Sequence, residues 1–296
     1  MSTTSGEAVP ARGWALIPAL LGLVRFAHTI FALPFALAGA ILAERAIPGT
    51  LVLVWVVVAM AGARSLAMAL NRLVDAEIDA RNPRTAGREL PSGRLTRVQV
   101  WAFSAVSLVV LLLAVNQLPR LVWVLWPIPV ALFVIYPYAK RFTRWCHLVL
   151  GITIGLAPVG GWIAVTGEFA LGAILLGIAV AAWIAGFDII YALLDMDFDR
   201  EAGVHSLPAA IGPAAALIVS RALHAGAVLA LAAAGLAAGA GVAFGVGVIV
   251  VALLLLAEHR TARSLEPEDV GRAFGMTNAV IAVIVLVAVL ADAVLA

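Results

Sequence analysis

Apolar residues run along this chain in long stretches separated by short polar links. A membrane-crossing helix needs about 20 mostly apolar residues. Segments close to or above that length lie at roughly 15–43, 50–79, 98–115, 120–138, 147–165, 169–199, 210–236, 239–257 and 271–295. The runs are continuous and do not alternate over the ~10 residues of a barrel strand. The pattern therefore predicts an all-α, polytopic membrane protein with about nine transmembrane helices. Composition agrees: 64% of the residues are hydrophobic and 12% charged, where a soluble domain is about half apolar and a quarter charged.

Residues 1–14 are expected to form a polar N-terminal tail and 15–296 one transmembrane domain. Within it, pseudo-repeat halves fall at about 15–138 and 139–257, with a final helix over 271–295. Ala36-Leu37-Ala38 has the form of a signal-peptidase site, but Arg25 and His28 interrupt the apolar run before it, so no cleaved signal is expected. The single cysteine, Cys146, excludes an internal disulfide and a multi-cysteine metal site.

The basic residues set the orientation. With the N-terminus inside, the tail and even loops carry Arg12, Arg81, Arg84, Arg88, Arg94, Arg97, Lys140, Arg141, Arg144, Arg200, Arg260, Arg263 and Arg272, and the odd loops only Arg45 and Arg120. The positive-inside rule then predicts a cytoplasmic N-terminus for a chain set in a lipid bilayer.

Two acidic rows stand out against this background. Asn71, Asp75 and Asp79 recur every four residues and fall within about 80° of one helix face, with Glu77 opposite. Pro83 and Gly87 mark the end of that helix. Asp188, Tyr191, Asp195 and Asp199 share a face in the same way, within about 80°, with Asp197 pointing away. The rows also align with each other: Asn71, Asp75, Glu77 and Asp79 match Tyr191, Asp195, Asp197 and Asp199. This is the mark of a degenerate internal duplication.

Both rows close an apolar span on the cytoplasmic side. Carboxylates facing one another repel, and ionisable groups at membrane depth are costly and kept mainly for function. A hard divalent cation removes the repulsion. Mg²⁺ takes oxygen ligands and commonly joins one or two carboxylates to substrate phosphates, while guanidinium forks grip phosphate oxygens. The pattern fits a Mg²⁺-diphosphate held between two half-domains, with its lipid tail in the bilayer.

At these residues the sequence acquires a family resemblance. Asn71-x3-Asp75-x3-Asp79, followed by Arg88-Glu-Leu-Pro-Ser-Gly93, resembles the first signature of the UbiA superfamily of intramembrane prenyltransferases. Asp188-x2-Tyr-Ala-x2-Asp195-x3-Asp199 resembles the second, and "YPYAKRFT", residues 136–143, the segment between them. Within the family the chain is most similar to the 4-hydroxybenzoate polyprenyltransferase branch. "RFAHTIFALPFALAGA" and "NPRTAGRELPSG" resemble the offshoot of futalosine-route menaquinone synthesis, whose acceptor is a carboxylated dihydroxynaphthoate. One position departs: Arg72 stands where the common first motif has an aspartate.

The resemblance implies helices around a central cavity under a cytosolic cap of loops. It implies Mg²⁺-dependent transfer of a polyprenyl group from polyprenyl diphosphate to a ring carbon of a hydroxylated aromatic acid, in ubiquinone or menaquinone synthesis. Asn71, Asp75, Asp79, Asp195 and Asp199 would hold the metal; Arg84, Arg88, Lys140 and Arg141 would take the diphosphate. Tyr136 and Tyr191 are candidates to face the allylic cation, and Asp75 or Asp188 to accept the ring proton. Arg25 or Arg72, with Tyr136, would receive the aromatic acid.

Other features read structurally. Arg64, mid-span, serves equally as bundle glue, and His147 and His205 flank helix ends. Gly151/Gly155, Gly235/Gly239 and Gly241/Gly245 are small-x3-small packing faces. No strand precedes a glycine run and no basic-aromatic interleaving occurs, so neither dinucleotide nor nucleic acid binding is expected. The main rival function is a secondary transporter with an acidic cation site; the carboxylates sit at the cytoplasmic ends of spans and not at the midplane, which disfavours it. The Asp-Gly-x2-Ala-Arg signature of CDP-alcohol phosphotransferases is absent. Tetrapyrrole or lipid acceptors remain open within the superfamily.

Overall fold

The computed structural model describes residues 10–24, 32–264, 266–272 and 277–296. In chain order these form α1 (Leu16–Leu23), α2 (Leu33–Glu44), α3 (Thr50–Arg81), α4 (Arg97–Val115), α5 (Arg120–Leu125), α6 (Pro127–Ala139), α7 (Cys146–Thr166), α8 (Leu171–Ala192), α9 (Met196–Ala202), α10 (Leu207–Ile211), α11 (Pro213–Ala238), α12 (Val242–Thr261), α13 (Pro267–Arg272) and α14 (Asn278–Leu295). Among the described residues eight helical runs are long and apolar enough to cross a membrane, taking α5 with α6 and α8 with α9 as single runs. Their outer faces carry exposed Val54, Val106, Leu113, Leu229, Ile249 and Leu253. Such a surface is solvated by lipid, and the chain is an integral membrane protein.

The structure revises two of the predicted spans. The described part of 15–43 is two short helices and not one long one; residues 25–31, with Arg25 and His28, lie outside the described residues. α1 buries Leu23 against Ala69, Leu73 and Leu95, at the end of the bundle where α3 meets the loop into α4. α2 instead packs along α7 and α14. The predicted helix over 169–199 is also broken: α8 ends at Ala192, and a 3₁₀ turn over Leu193–Asp195 leads into α9. Short 3₁₀ pieces inside a helical run often mark functional positions.

Neighbouring helices are joined by small residues. A Cβ on Gly151 would lie 2.2 Å from the Ala181 carbonyl oxygen, and one on Gly155 2.5 Å from that of Gly177, so α7 and α8 meet backbone to backbone. Gly161 and Gly39 admit α2 to α7 in the same way. The other two glycine pairs do not act as pairs: Gly239 ends α11 with φ 69°, and Gly241 precedes α12. There Asp292, buried near the end of α14, accepts the Gly241 N–H at 2.9 Å and so caps α12.

The core of the second half is built on Trp183, which packs tilted against Phe35 and edge-to-face against Phe187 with centroids 5.0 Å from each. Its indole N–H donates to Asn278 Oδ1 at 2.8 Å, and the Asn278 amide donates to Glu258 at 2.8 Å. His224 and His259, 35 residues apart in sequence, meet at 3.0 Å beside them. These contacts tie α8, α11, α12 and α14 together.

Overpacking a close helix contact costs about 1–3 kcal/mol. Gly151→Val is therefore expected to lower the thermal unfolding temperature in detergent, whereas Gly245→Ala, which faces open space, leaves it unchanged.

Candidate active site

Four helices turn one face each to a common cavity of about 460 Å³, and each does so with helical spacing. α3 contributes Val56, Met60, Arg64, Ala67, Asn71 and Asp75; α6 and its C-cap contribute Pro129, Phe133, Tyr136 and Lys140. α7 contributes His147, Leu150, Ile154 and Ala157, and α8 contributes Ile184, Asp188 and Tyr191. Steps of three and four residues keep a side-chain row on one face. The wall is thus apolar along most of the helices and charged at their ends. The volume lies in the range of small-molecule sites, about 300–1,000 Å³.

The first acid row faces inward. The side chains of Asp75 and Asp79 are 3% and 6% exposed, against 86% for Glu77 between them. Each inward acid meets a cation from elsewhere in the chain. Lys140 Nζ lies 2.6 Å from Asp75 Oδ2, and Arg88 Nη1 donates to Asp79 Oδ1 at 2.6 Å. Asn71 Nδ2 donates to Asp75 at 3.2 Å. Arg72 is also buried and reaches Asp79 at 3.9 Å, so the residue that departs from the family motif adds a cation to this row.

The second row keeps its face despite the 3₁₀ turn. Asp188, Tyr191, Asp195 and Asp199 all line the same cavity, while Asp197 is 87% exposed at its side chain. The loop after α3 crosses over to this row. Arg84 forks onto Asp195 through Nε, at 2.8 Å, and Nη2, and donates from Nη1 to the Tyr191 hydroxyl at 2.6 Å. Asn82 Nδ2 adds a bond to Asp195 at 2.9 Å, while its Oδ1 accepts the Arg84 N–H. Burial opposes the charge on Arg84, but Asp195 and Tyr191 outweigh it and hold the guanidinium more firmly protonated than usual. Thr85 anchors the same loop by donating to the Asp79 carbonyl at 2.9 Å.

Other predicted site residues fall differently. Arg141 is not part of the cavity wall: it donates to the Val74 carbonyl at 2.8 Å and lies over the Tyr138 ring. One face of Tyr191 carries the Arg84 guanidinium, 5.0 Å from the ring centroid. Tyr136 is in the wall, close to the row of Asp75 and Asp188. Arg25 lies outside the described residues.

Three residues at the cavity had no assigned role in the sequence reading. Arg64 lies on the cavity face of α3, and its buried Nε has no hydrogen-bond partner. It precedes Asp75 by 11 residues, about 16 Å along the helix. The signal was present as a lone charge in an apolar run. Asn82 bonds both Asp195 and the Arg84 backbone, a role visible only once the loop is folded. His147 lies 2.7 Å from Asp188.

The donor set has places for a divalent cation. Asp75 Oδ1 and Asp79 Oδ2 are buried oxygens without a hydrogen-bond partner. Orphaned carboxylate oxygens at a cavity wall suit a hard cation. Among the described residues no three acids or histidines stand close enough to hold an ion unaided, so phosphate oxygens would have to complete its shell. On those terms the residues fit Mg²⁺.

Residues 32–289 match the UbiA prenyltransferase family. A 4-hydroxybenzoate octaprenyltransferase from Haemophilus ducreyi is 33% identical over 187 residues, which is 63% of this chain and 65% of that protein. The protein of the same name from Chromohalobacter salexigens is 29% identical over 278 residues, 93% of each chain. A protoheme IX farnesyltransferase from Shewanella pealeana is 36% identical over 146 residues, 47% of this chain and 48% of that one. Among solved structures, the apo UbiA homologue from Aeropyrum pernix K1 superposes with a TM-score of 0.82 at 35% identity, covering 90% of this chain and 98% of that one. A UbiA homologue from Archaeoglobus fulgidus bound to GPP and Mg²⁺ shares the fold, with a TM-score of 0.69 at 20% identity over 92% of this chain and 99% of that one.

A hydrogen bond to a charged partner contributes about 1.5–3 kcal/mol. Arg84→Ala is expected to release the 82–96 loop locally. Hydrogen exchange of amides 84–95 should quicken about tenfold or more on that scale, with the exchange of α11 and α12 unchanged.

Proposed function

The chain belongs to the UbiA prenyltransferase family, and from that premise we propose that it transfers a polyprenyl group from polyprenyl diphosphate to a ring carbon of a hydroxylated aromatic acid, on the cytoplasmic side of a bacterial inner membrane. One observation carries the proposal: acids from two separate motifs and the cations paired with them share the charged end of a single cavity whose remaining wall is apolar. A charged head and a greasy tail need such a two-part chamber. The A. fulgidus homologue that shares this fold was bound to GPP and Mg²⁺, which accords with a prenyl diphosphate ligand.

Asn71, Asp75 and Asp79 of the first row and Asp195 and Asp199 of the second would hold Mg²⁺ only together with diphosphate oxygens, for which the metal would supply a Lewis acid. Lys140, Arg88 and Arg84 pair with acids in the ligand-free chain. These three side chains stand at the charged end of the cavity, where they would stabilise the diphosphate's charge as it leaves. The apolar part of the wall disfavours water at the allylic centre. Tyr136 offers a ring face to the developing cation.

Arg64 is the residue placed to receive the acceptor's carboxylate. It presents a guanidinium inside the chamber with a buried, unpartnered Nε, and no acid of the chain stands within ion-pair distance among the described residues. Arg72, the earlier candidate, is committed to Asn71 and Asp79. A carboxylated acceptor of the 4-hydroxybenzoate or 1,4-dihydroxy-6-naphthoate type satisfies Arg64 directly.

The test mixes purified protein with an isoprenyl diphosphate, Mg²⁺ and, in separate arms, 4-hydroxybenzoate, 1,4-dihydroxy-6-naphthoate and protohaem. A prenylated hydroxy-acid is expected, abolished by chelation. Asp75→Asn and Asp195→Asn are each expected to lower kcat about 100-fold or more, the scale of a lost electrostatic contact in a sheltered site. Undiminished turnover after chelation and in both variants would overturn the assignment; product in the protohaem arm alone would move the acceptor class.

Arg64→Met is expected to raise KM for the aromatic acid about 10- to 100-fold, the equivalent of one charge-assisted hydrogen bond. KM for the diphosphate should stay unchanged. An unaltered acceptor KM would remove Arg64 from the acceptor site.

A further inference from the structure

Asp188 differs in its partner from Asp75, Asp79 and Asp195, which share its cavity. Asp75, Asp79 and Asp195 each face a lysine or arginine. The partner of Asp188 is an imidazole: His147 Nδ1 lies 2.7 Å from Asp188 Oδ2. The tautomer of that ring follows from its other contact. The Leu207 backbone N–H, at the first position of α10, points at His147 Nε2 at 3.2 Å. A backbone N–H can only donate, so Nε2 must carry a lone pair. Nδ1 then carries the proton that is donated to Asp188.

The ring is held rigidly. His147 is 4% exposed and Leu207 1% exposed. Its donor takes up one oxygen of Asp188. The other, Oδ1, makes no hydrogen bond among the described residues, and the residue lines the cavity. Asp188 lies seven residues before Asp195, about 10 Å further along the run and so deeper than the diphosphate end. A carboxylate held through one oxygen by a fixed ring N–H has a defined direction for the other oxygen.

Resting on the aromatic prenyl transfer set out above, we propose that His147 is a positioning residue that aims Asp188 Oδ1 at the ring proton lost in the reaction. The allylic C–O bond breaks with its electron pair leaving on the diphosphate. A π pair of the acceptor ring forms the new C–C bond to the allylic carbon. The C–H pair at the attacked carbon then returns to the ring as its proton passes to Asp188, and Asp188 later yields that proton to water at the polar mouth. The chain Leu207 N–H to His147 to Asp188 spans α10, α7 and α8, so the base is set by tertiary structure and not by one motif.

The experiment compares His147→Asn, His147→Gln and His147→Leu in the full-length protein, using an acceptor acid with hydrogen or deuterium at the attacked carbon. The asparagine amide falls near Nδ1 and can still donate to Asp188, whereas the glutamine amide falls near Nε2 and cannot. His147→Leu and His147→Gln are expected to lower kcat about tenfold or more, within the range of general acid–base contributions, and to show a primary isotope effect larger than the unaltered enzyme's. Both KM values should be little changed, and His147→Asn should recover most of kcat. Equal rates for the asparagine and glutamine variants, or a fall in kcat with no change in isotope effect, would overturn the positioning role. Absence of prenyl transfer by the unaltered protein would sink the enzyme reading first, and this inference with it.

Discussion

Acids at the end of a lipid-embedded bundle must be neutralised, and the architecture of this protein follows from how that is done. A buried carboxylate without a partner costs several kcal/mol. Here the inward acids of the first row and Asp195 meet lysine or arginine side chains from a different segment. Lys140 follows α6, while Arg84 and Arg88 come from the loop after α3. The neutralising contacts are therefore also the contacts that fold the loops over the cavity mouth. Arg84 does most of this, since it joins the loop of the first motif to Asp195 and Tyr191 of the second.

The same pairing makes the site responsive. A charge-balanced cluster can exchange partners without leaving a charge exposed to the apolar wall. In the proposed reaction a metal-bound diphosphate would bring both cation and anion, so that the acids and the bases of the chain could each be re-paired. Orphaned oxygens on Asp75 and Asp79 mark where the acids are unsatisfied before that exchange. Arg64 and Asp188 stand outside the exchange, deeper along their helices. In the proposed reaction that separation would divide leaving-group chemistry at the mouth from acceptor chemistry inside.

Tight packing maintains the division. Where α7 meets α2 and α8, glycines bring the backbones together, and the cavity-facing rows of α7 and α8 are held at constant spacing. In lipid such close approach replaces the hydrophobic effect as the source of helix association. Asp292 and the Trp183–Asn278–Glu258 chain lock the remaining helices through hydrogen bonds. The chamber can therefore stay open inside a rigid frame.

The sequence by itself determined the membrane setting, eight of the nine spans, and the inward and outward faces of both acid rows. Those depend on length and on a period of 3.6, which are local properties; Glu77 and Asp197 face outward as the period requires. Local pattern could not reveal the division of residues 15–43, the 3₁₀ turn at Leu193–Asp195, or the turning away of Arg141 to the Val74 carbonyl. Nor could it pair Asp195 with Arg84, 111 residues away, or His147 with Asp188, 41 residues away. Such pairings are decided by which helices pack together and at what depth. A side chain's chemistry is written in its codon, but its partner is chosen by distance in space.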